Sequence, residues 1–549
     1  MTFSNYGKNS DEDMLSYLSK LINKIRLWIK DNPREAFLIF IILLIGASFR
    51  LYRIGEYMIF LGDEGRDAIV VRRLLVNFDP ILIGPGTSIG NMYLGPLYYY
   101  MIAPALLLAN FSPVGPSVLV TLFGIATIFL VWMMGREWFG NTAGMIASFF
   151  YSIAPVVITF SKSSWNPNIM PFFALISIYS IWRVWQYKEF KWLFALGVFF
   201  AIILQSHYLG LLLAPTLGLF WVLTYLKNRK SSSEIKNFTK YSILGIGTFA
   251  ILMSPLVIFD ARHEWRNFGA IKLFFLERQT TVSARPWSGI SKIPELIDQV
   301  NLSLLSSQNA DISWIYTYLF YPGFIVLFLF ILLKSTRKIS PDKKSWLNIF
   351  KKLDSKYVAS YFLLVAWLGV SFVGLSLYKQ HIYDHYYGFF FPAPFLLAGA
   401  VSQYVVKNSS RLVKITLAVF LIYAVYINLS NSPIKYSPNR QMQRAVGVAR
   451  EIQKQANGEK FNLAVLAERN YEDGYQYFLE KWGEPVYDID PLKLEETLAS
   501  QLFVVCEMPK EKCDPTHSPK AEVANFGWSK IEEEWEVNGV TVYKLIHAQ

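Results

Sequence analysis

Eleven long apolar runs recur along this chain, and a backbone that crosses a medium without water must satisfy its own hydrogen bonds, which restricts the fold to helices at such runs. The runs are 36–51, 118–134, 142–160, 169–185, 192–205, 209–226, 241–259, 314–333, 357–377, 386–406 and 415–429. Most reach the roughly 18 residues that a helix needs to span a bilayer core of about 30 Å. A composition of 53% hydrophobic and 16% aromatic residues matches that reading and excludes an ordinary soluble domain over this region. The predicted fold class is an α-helical integral membrane protein with about 11 transmembrane helices. A twelfth apolar stretch, 92–109, needs a separate argument.

The basic residues supply it, because cytoplasmic loops carry an excess of Lys and Arg. If 92–109 does not cross, then 1–35, the turn at Arg136, and 183–191, 227–240, 334–356 and 407–414 all lie on one side. These segments hold 26 of the 53 Lys and Arg, against about 12 in the opposite loops before residue 430. Counting 92–109 as a span throws every later basic loop to the far side from the basic N-terminus. It is therefore read as a juxtamembrane or re-entrant segment within an external loop, 53–115, with a second external loop at 260–313. The net charge of +12 is then mostly a topology signal. No basic patch is interleaved with a nucleic-acid-binding motif, so nucleic acid is not an expected partner, whereas membrane lipids are.

Residues 1–35 form a cytoplasmic amphipathic N-terminus, in which Met14, Leu18, Leu21, Ile25 and Trp28 share one helical face, as in an interfacial helix. No cleavable signal peptide is expected, because the first apolar run is preceded by a long charged stretch. The multispan domain covers 36–430, and 431–549 has the composition of a small soluble α/β domain. Strands are expected at 461–467, 485–489, 502–507 and 540–546, with helices near 441–455 and 491–500. An odd number of crossings from a cytoplasmic N-terminus puts this domain outside the cytoplasm. Cys506 and Cys513 then sit in an oxidising compartment and are read as a pair, with two free thiols as the alternative.

Charged groups are nearly absent from the interiors of the runs and collect where runs end outside, which suits a catalytic cavity at the outer membrane interface better than a coupled-transport path. The most informative of these clusters is Gly62-Asp63-Glu64-Gly65-Arg66-Asp67, just after the first run. Adjacent carboxylates at a membrane face are equipped for general-base chemistry on a lipid-borne substrate. The others include Tyr93, Asn166, His207 and the segment Lys379-Gln380-His381-Ile382-Tyr383-Asp384-His385. No metal site is expected, since His381 and His385 have no third ligand at suitable spacing.

The Asp63-Glu64 pair after the first run, the segment Gly95-Pro96-Leu97-Tyr98-Tyr99-Tyr100, and the turn Gly135-Arg136-Glu137-Trp138-Phe139-Gly140 resemble the polyprenyl-phosphate-sugar-dependent membrane glycosyltransferases of GT-C type. That group includes protein O-mannosyltransferases, lipid A aminoarabinose transferases and galacturonosyltransferases of lipopolysaccharide cores. The resemblance implies that Asp63 is the catalytic aspartate, with Glu64 as its neighbour. It also shows two departures: Asn166-Pro167 stands where the family has an external Asp-Pro, and Leu94-Gly95 stands where a basic residue precedes Pro-Leu-Tyr-Tyr.

The implied function is inverting transfer of a sugar from a polyprenyl-phosphate donor to an acceptor hydroxyl of a lipid, glycan or protein, on the outer face of a cell membrane and without a cofactor. Such a donor already carries a good leaving group. The enzyme must mainly deprotonate the acceptor and neutralise charge on the departing phosphate. Asp63 is the expected base, Arg66, Lys379, His381 and His385 are candidates for the phosphate, and Tyr93, Asn166 and His207 line the expected cavity. A transporter or flippase of a lipid-linked saccharide, or a scaffold for envelope polymer assembly, is the alternative.

Overall fold

In a computed structural model describing residues 19–20, 22–87, 90, 92–276, 286–336 and 355–548, the chain is a bundle of helices joined to a small α/β unit. Met14, Leu18 and Leu21 of the amphipathic face, part of the expected external loop 260–313, and most of the basic loop 334–356 lie outside the described residues. Six described helices are long and apolar enough to cross a bilayer: Val114–Trp138, Tyr208–Asn228, Ser232–Arg262, Ala310–Lys334, Lys356–Ser376 and Arg411–Ser430. The most apolar window of Lys356–Ser376 is 61% buried, whereas those of Ser232–Arg262 and Arg411–Ser430 are 11% buried. The first runs through the protein interior and the other two present their apolar sides outward, as lipid-facing helices do.

Proline and glycine set the exceptions to the simple pattern of runs. The run at 142–160 is two helices, Asn141–Ile153 and Pro155–Phe160, because Pro155 has no N–H to continue the first and holds Ala154 in an extended conformation. The helix Leu97–Leu108 has 12 residues, hence a length of about 18 Å at 1.5 Å per residue, well under the thickness of a bilayer core. The Gly135–Gly140 turn is a structural joint. A Cβ at Gly135 would lie 2.9 Å from the backbone of Gly144, and Gly140 has a φ of +119°. Arg136 pairs with Glu35 at 2.7 Å, and Glu137 accepts from the indole of Trp182 and the hydroxyl of Tyr187.

The C-terminal unit is a four-stranded sheet in the order β1-β2-β4-β3, with β1 Asn462–Leu466, β2 Gln501–Cys506, β3 Ser529–Val537 and β4 Val540–His547. β1 and β2 pair in parallel, and β4 runs antiparallel to both of its neighbours. β1 and β2 are buried throughout, so they read as continuous apolar runs. β3 is an edge strand whose Glu532, Glu533, Glu534 and Glu536 face solvent. Such charge blunts an unpaired edge and hides the strand from a hydrophobicity reading. The strand expected at 485–489 is instead a single bridge between Phe461 and Val486. The helix expected at 491–500 shrinks to Leu494–Thr497, and Asp473–Trp482 is helical without having been expected. Cys506 and Cys513 are joined by a disulfide.

One face of the sheet, covered by the helices Gln441–Ala456 and Asp473–Trp482, does not form a core of its own. It shares a single apolar cluster with Ile54, Met58, Phe60, Ala68 and Ile69 from the first external segment. The Phe60 ring lies 5.6 Å from that of Phe478 and 6.3 Å from that of Tyr477. The Tyr477 hydroxyl donates to the Phe111 carbonyl at 2.7 Å, and Arg73 forms an ion pair with Glu480. The α/β unit is thus packed onto the segment that carries Asp63.

Candidate active site

Asp63 opens the helix Gly62–Asn77, and the next turn of the same helix brings Arg66 back to it. An Arg66 Nη1 donates to Asp63 Oδ1 at 2.8 Å, and the other terminal nitrogen, Nη2, donates to Asp67 Oδ1 at 2.8 Å. The two carboxylates differ in exposure: the Asp63 side chain is 35% accessible and that of Asp67 is 1%. Burial pushes Asp67 up to about 6 against the opposing pull of Arg66. Asp67 is therefore the structural partner of the guanidinium, and Asp63 is the carboxylate that opens to the cavity. Glu64 points elsewhere. It is buried, accepts the Leu61 N–H at 3.0 Å, and is pushed by burial up to about 7. It is absent from the cavity lining, so the role that the geometry supports for it is that of a helix cap.

The cavity beside Asp63 has a volume of about 240 Å³. Asp63 and Arg66 form one wall, Pro85, Gly86, Thr87 and Leu94 of a hairpin a second, and Trp165, Asn166, Pro167, His207, Tyr208, His385 and Tyr386 the remainder. The hairpin closes through Gly84 N–H to Leu94 O and Leu94 N–H to Pro85 O, at 2.7 and 2.9 Å. Tyr93 sits on the hairpin outside this lining; its N–H donates to Asn267 Oδ1 and its ring meets Phe259. A Cβ at Gly95 would lie 2.1 Å from Gln205 Oε1, so this position has no room for the basic side chain of the family pattern.

Asn166 lines the cavity with a side chain that is otherwise engaged, since its amide donates to the Ser206 carbonyl at 2.6 Å. An aspartate there would face that carbonyl without a proton to give, which accounts physically for the amide in place of the family's acid. The imidazoles lie close together, with ring centroids of His207 and His385 5.8 Å apart and the Trp165 ring 4.6 Å from His385. His207 Nδ1 accepts the Leu209 N–H at 3.2 Å, leaving Nε2 as the N–H donor. Burial lowers His207 to about 3 and His385 to about 4, with Asp63 partly offsetting the shift of the latter. Both rings are neutral donors near pH 7, not the cations that would pair with a phosphate.

Lys379 and His381 lie elsewhere. They line a neighbouring cavity of about 490 Å³ together with Lys292, Glu295, Ser303 and Asp384. The segment 383–387 divides the two spaces: Tyr383 and Asp384 face one, and His385 and Tyr386 face the other. The structure thus brings together Asp63, Arg66, Asn166, His207 and His385, and leaves Lys379, His381, Glu64 and Tyr93 outside that lining.

Sequence reasoning missed the C-terminal contribution. The hydroxyl of Tyr471 donates to Asp63 Oδ1 at 2.5 Å, and Asn470 Oδ1 accepts the Gly62 N–H at 2.8 Å. Asp473 starts the adjoining helix and is raised to about 7 by burial and by the nearby Glu472. The one sequence signal was position: these residues follow β1, and functional groups in α/β units gather beyond the carboxyl ends of strands.

Comparison with known proteins fits this picture. Residues 94–259 match the dolichyl-phosphate-mannose-protein mannosyltransferase family, a stretch that includes the Pro-Leu-Tyr-Tyr segment and the Gly135–Gly140 turn but begins after Asp63. No curated protein matches the chain significantly. Among solved structures, ArnT from Cupriavidus metallidurans bound to undecaprenyl phosphate is similar with a TM-score of 0.55 at 12% identity, over 93% of this chain and 97% of that one. The archaeal oligosaccharyltransferase AglB from Archaeoglobus fulgidus, in complex with an inhibitory peptide and a dolichol-phosphate, is similar with a TM-score of 0.51 at 12% identity, over 87% of this chain and 70% of that one. At such identities these two likenesses concern the fold. The family match thus covers residues 94–259, and over nearly the whole chain the likeness to these membrane glycosyltransferases is one of fold.

Proposed function

We propose that this protein transfers a sugar from a polyprenyl-phosphate donor to an acceptor hydroxyl, with inversion at the anomeric carbon, on the non-cytoplasmic face of the membrane. The observation that carries the reading is the pairing of a part-exposed Asp63 with Arg66 at 2.8 Å in the wall of a cavity beside the bundle. Asp63 takes the proton of the acceptor hydroxyl, whose oxygen forms the new bond to the anomeric carbon. The bond from that carbon to the donor phosphate breaks, and its electron pair leaves with the phosphate.

The charges favour this sequence. Arg66 initially faces two carboxylates; once Asp63 has accepted a proton, only Asp67 remains as its anionic partner. Its positive charge is then released for the phosphate at the moment negative charge develops there. His385 and His207 act as neutral N–H donors to the same group. The leaving phosphate needs no acid, and Asn166 in place of a second carboxylate is compatible with a single displacement.

We further infer eleven crossings with a cytoplasmic N-terminus and an external α/β unit, on the asymmetry of Lys and Arg and on the Cys506–Cys513 bond, which suits an oxidising compartment. The acceptor is a lipid, glycan or protein, and membrane lipids surround the bundle. The test is incubation of the purified protein with a panel of radiolabelled polyprenyl-phosphate sugars. Enzyme-dependent release of label from the lipid supports the reading. Failure to release label from any donor refutes it, and transfer of intact labelled lipid across a liposome bilayer would identify a flippase instead.

A further inference from the structure

Asp63 carries its two hydrogen-bond donors on one oxygen. Arg66 Nη1 and the Tyr471 hydroxyl both reach Oδ1, and no described residue donates to Oδ2. A carboxylate held this way cannot rotate without breaking two contacts, one of them charge-assisted, and it presents a single unoccupied oxygen to the cavity. Tyr471 belongs to the C-terminal unit, 408 positions further along the chain. Its loop is itself tied down. The Asn470 amide donates to Glu507 Oε1 at 2.6 Å while its oxygen accepts the Gly62 N–H, and the Tyr475 hydroxyl donates to the same glutamate oxygen. Arg444 closes the network on the other Glu507 oxygen at 3.5 Å.

The aspartate helix is shaped for this loop. A Cβ at Gly62 would lie 2.0 Å from the Tyr471 ring, and one at Gly65 would lie 2.4 Å from the backbone of Asp473 and Gly474. Two glycines in the first turn of a helix are otherwise unfavourable, and here each permits close approach of the C-terminal unit.

We infer that Tyr471 is a positioning residue of the active site: it fixes the Asp63 carboxylate through Oδ1 so that Oδ2 faces the acceptor hydroxyl, which makes the C-terminal unit part of the catalytic apparatus. This rests on the reading of Asp63 as the base. Fixing the base affects the chemical step and leaves the donor lipid's binding untouched, because Tyr471 is not among the residues lining the cavity.

The experiment uses the full-length protein and whichever labelled donor the wild type turns over. Tyr471→Phe should lower kcat by about 10-fold, the scale of a hydrogen bond to a charged group. Binding of undecaprenyl phosphate and the KM for donor should remain at wild-type values. Gly62→Ala, which displaces the same ring without altering the hydroxyl, should lower kcat similarly. The double variant should be no slower than the slower single one, since both changes remove one contact. Wild-type kcat in Tyr471→Phe overturns the inference whatever Gly62→Ala does, and so does a change confined to donor binding. Failure of the underlying reading looks different: Asp63→Asn would then retain turnover, whereas an inactive Asp63→Asn beside an unaffected Tyr471→Phe removes only the role given to Tyr471.

Discussion

Replacing Asp63 by Asn separates the charge of this residue from its place in the structure. The amide keeps an oxygen at Oδ1, so the contacts from Arg66 Nη1 at 2.8 Å and from Tyr471 are preserved. The new nitrogen replaces Oδ2, to which no described residue donates, so no donor is set against a donor. Arg66 also keeps its second anchor on Asp67 at 2.8 Å. What is lost is a part-exposed ion pair worth about 0.2–1 kcal/mol, and the thermal midpoint should move by no more than about 2 °C. Catalysis responds differently, because an amide cannot accept the acceptor's proton. Loss of a general base costs about 10²- to 10⁴-fold, or about 3–5 kcal/mol of barrier. Single-turnover release of sugar from labelled donor, measured beside thermal unfolding and undecaprenyl-phosphate binding, reads all three quantities. Turnover within about threefold of wild type would refute the assignment of the base, and a collapse of the midpoint would show that Asp63 is primarily structural.

Three further outcomes follow from the same geometry. Gly65→Ala places a methyl group against backbone atoms of Asp473 and Gly474 that cannot rotate aside, so it should destabilise the protein by about 1–3 kcal/mol in denaturant titration; wild-type stability would mean that the C-terminal unit does not pack on this helix as described. Burial raises Glu64 and Asp473 to about 7, above the value near 4 expected in an unfolded chain, so the protonated forms are favoured by folding. Stability from these groups is full below about pH 4 and is lost as pH rises through 7. The thermal midpoint should therefore fall between pH 6 and 8, with a smaller fall in Asp473→Asn, and an identical slope in the variant would contradict the shift. His385 stays neutral above about pH 4, so His385→Gln should lower the rate but leave the shape of the pH profile unchanged between 6 and 8; a wild-type limb near 6.5 that vanishes in the variant would show that the ring titrates as a cation there.

The sequence by itself determined the class of fold and the position of the candidate base. Apolar runs long enough to cross a bilayer admit only helices, and polar groups excluded from the runs must gather at their ends, which brought out the 62–67 cluster and Asn166, His207 and His385. The sequence placed Asp63 and Arg66 in one charged cluster as base and phosphate candidate; the ion pair between them is what the helix geometry adds, since residues three apart face each other. Tertiary structure decided which of the more distant groups meet. Lys379 and His385 lie within one short segment, yet Tyr383 to Tyr387 form a wall with a cavity on either side, so they are separated by the direction of their side chains. Glu64, adjacent to Asp63, turns back to cap its own helix because the Leu61 N–H is otherwise unsatisfied there. β3 escaped notice because its glutamates protect an edge and erase the alternation that marks a strand. Tyr471 was beyond reach for a more general reason: its contact with Asp63 depends on a shared core between Phe60 and Phe478, and nothing local in either segment records a packing partner that arrives some 400 residues later.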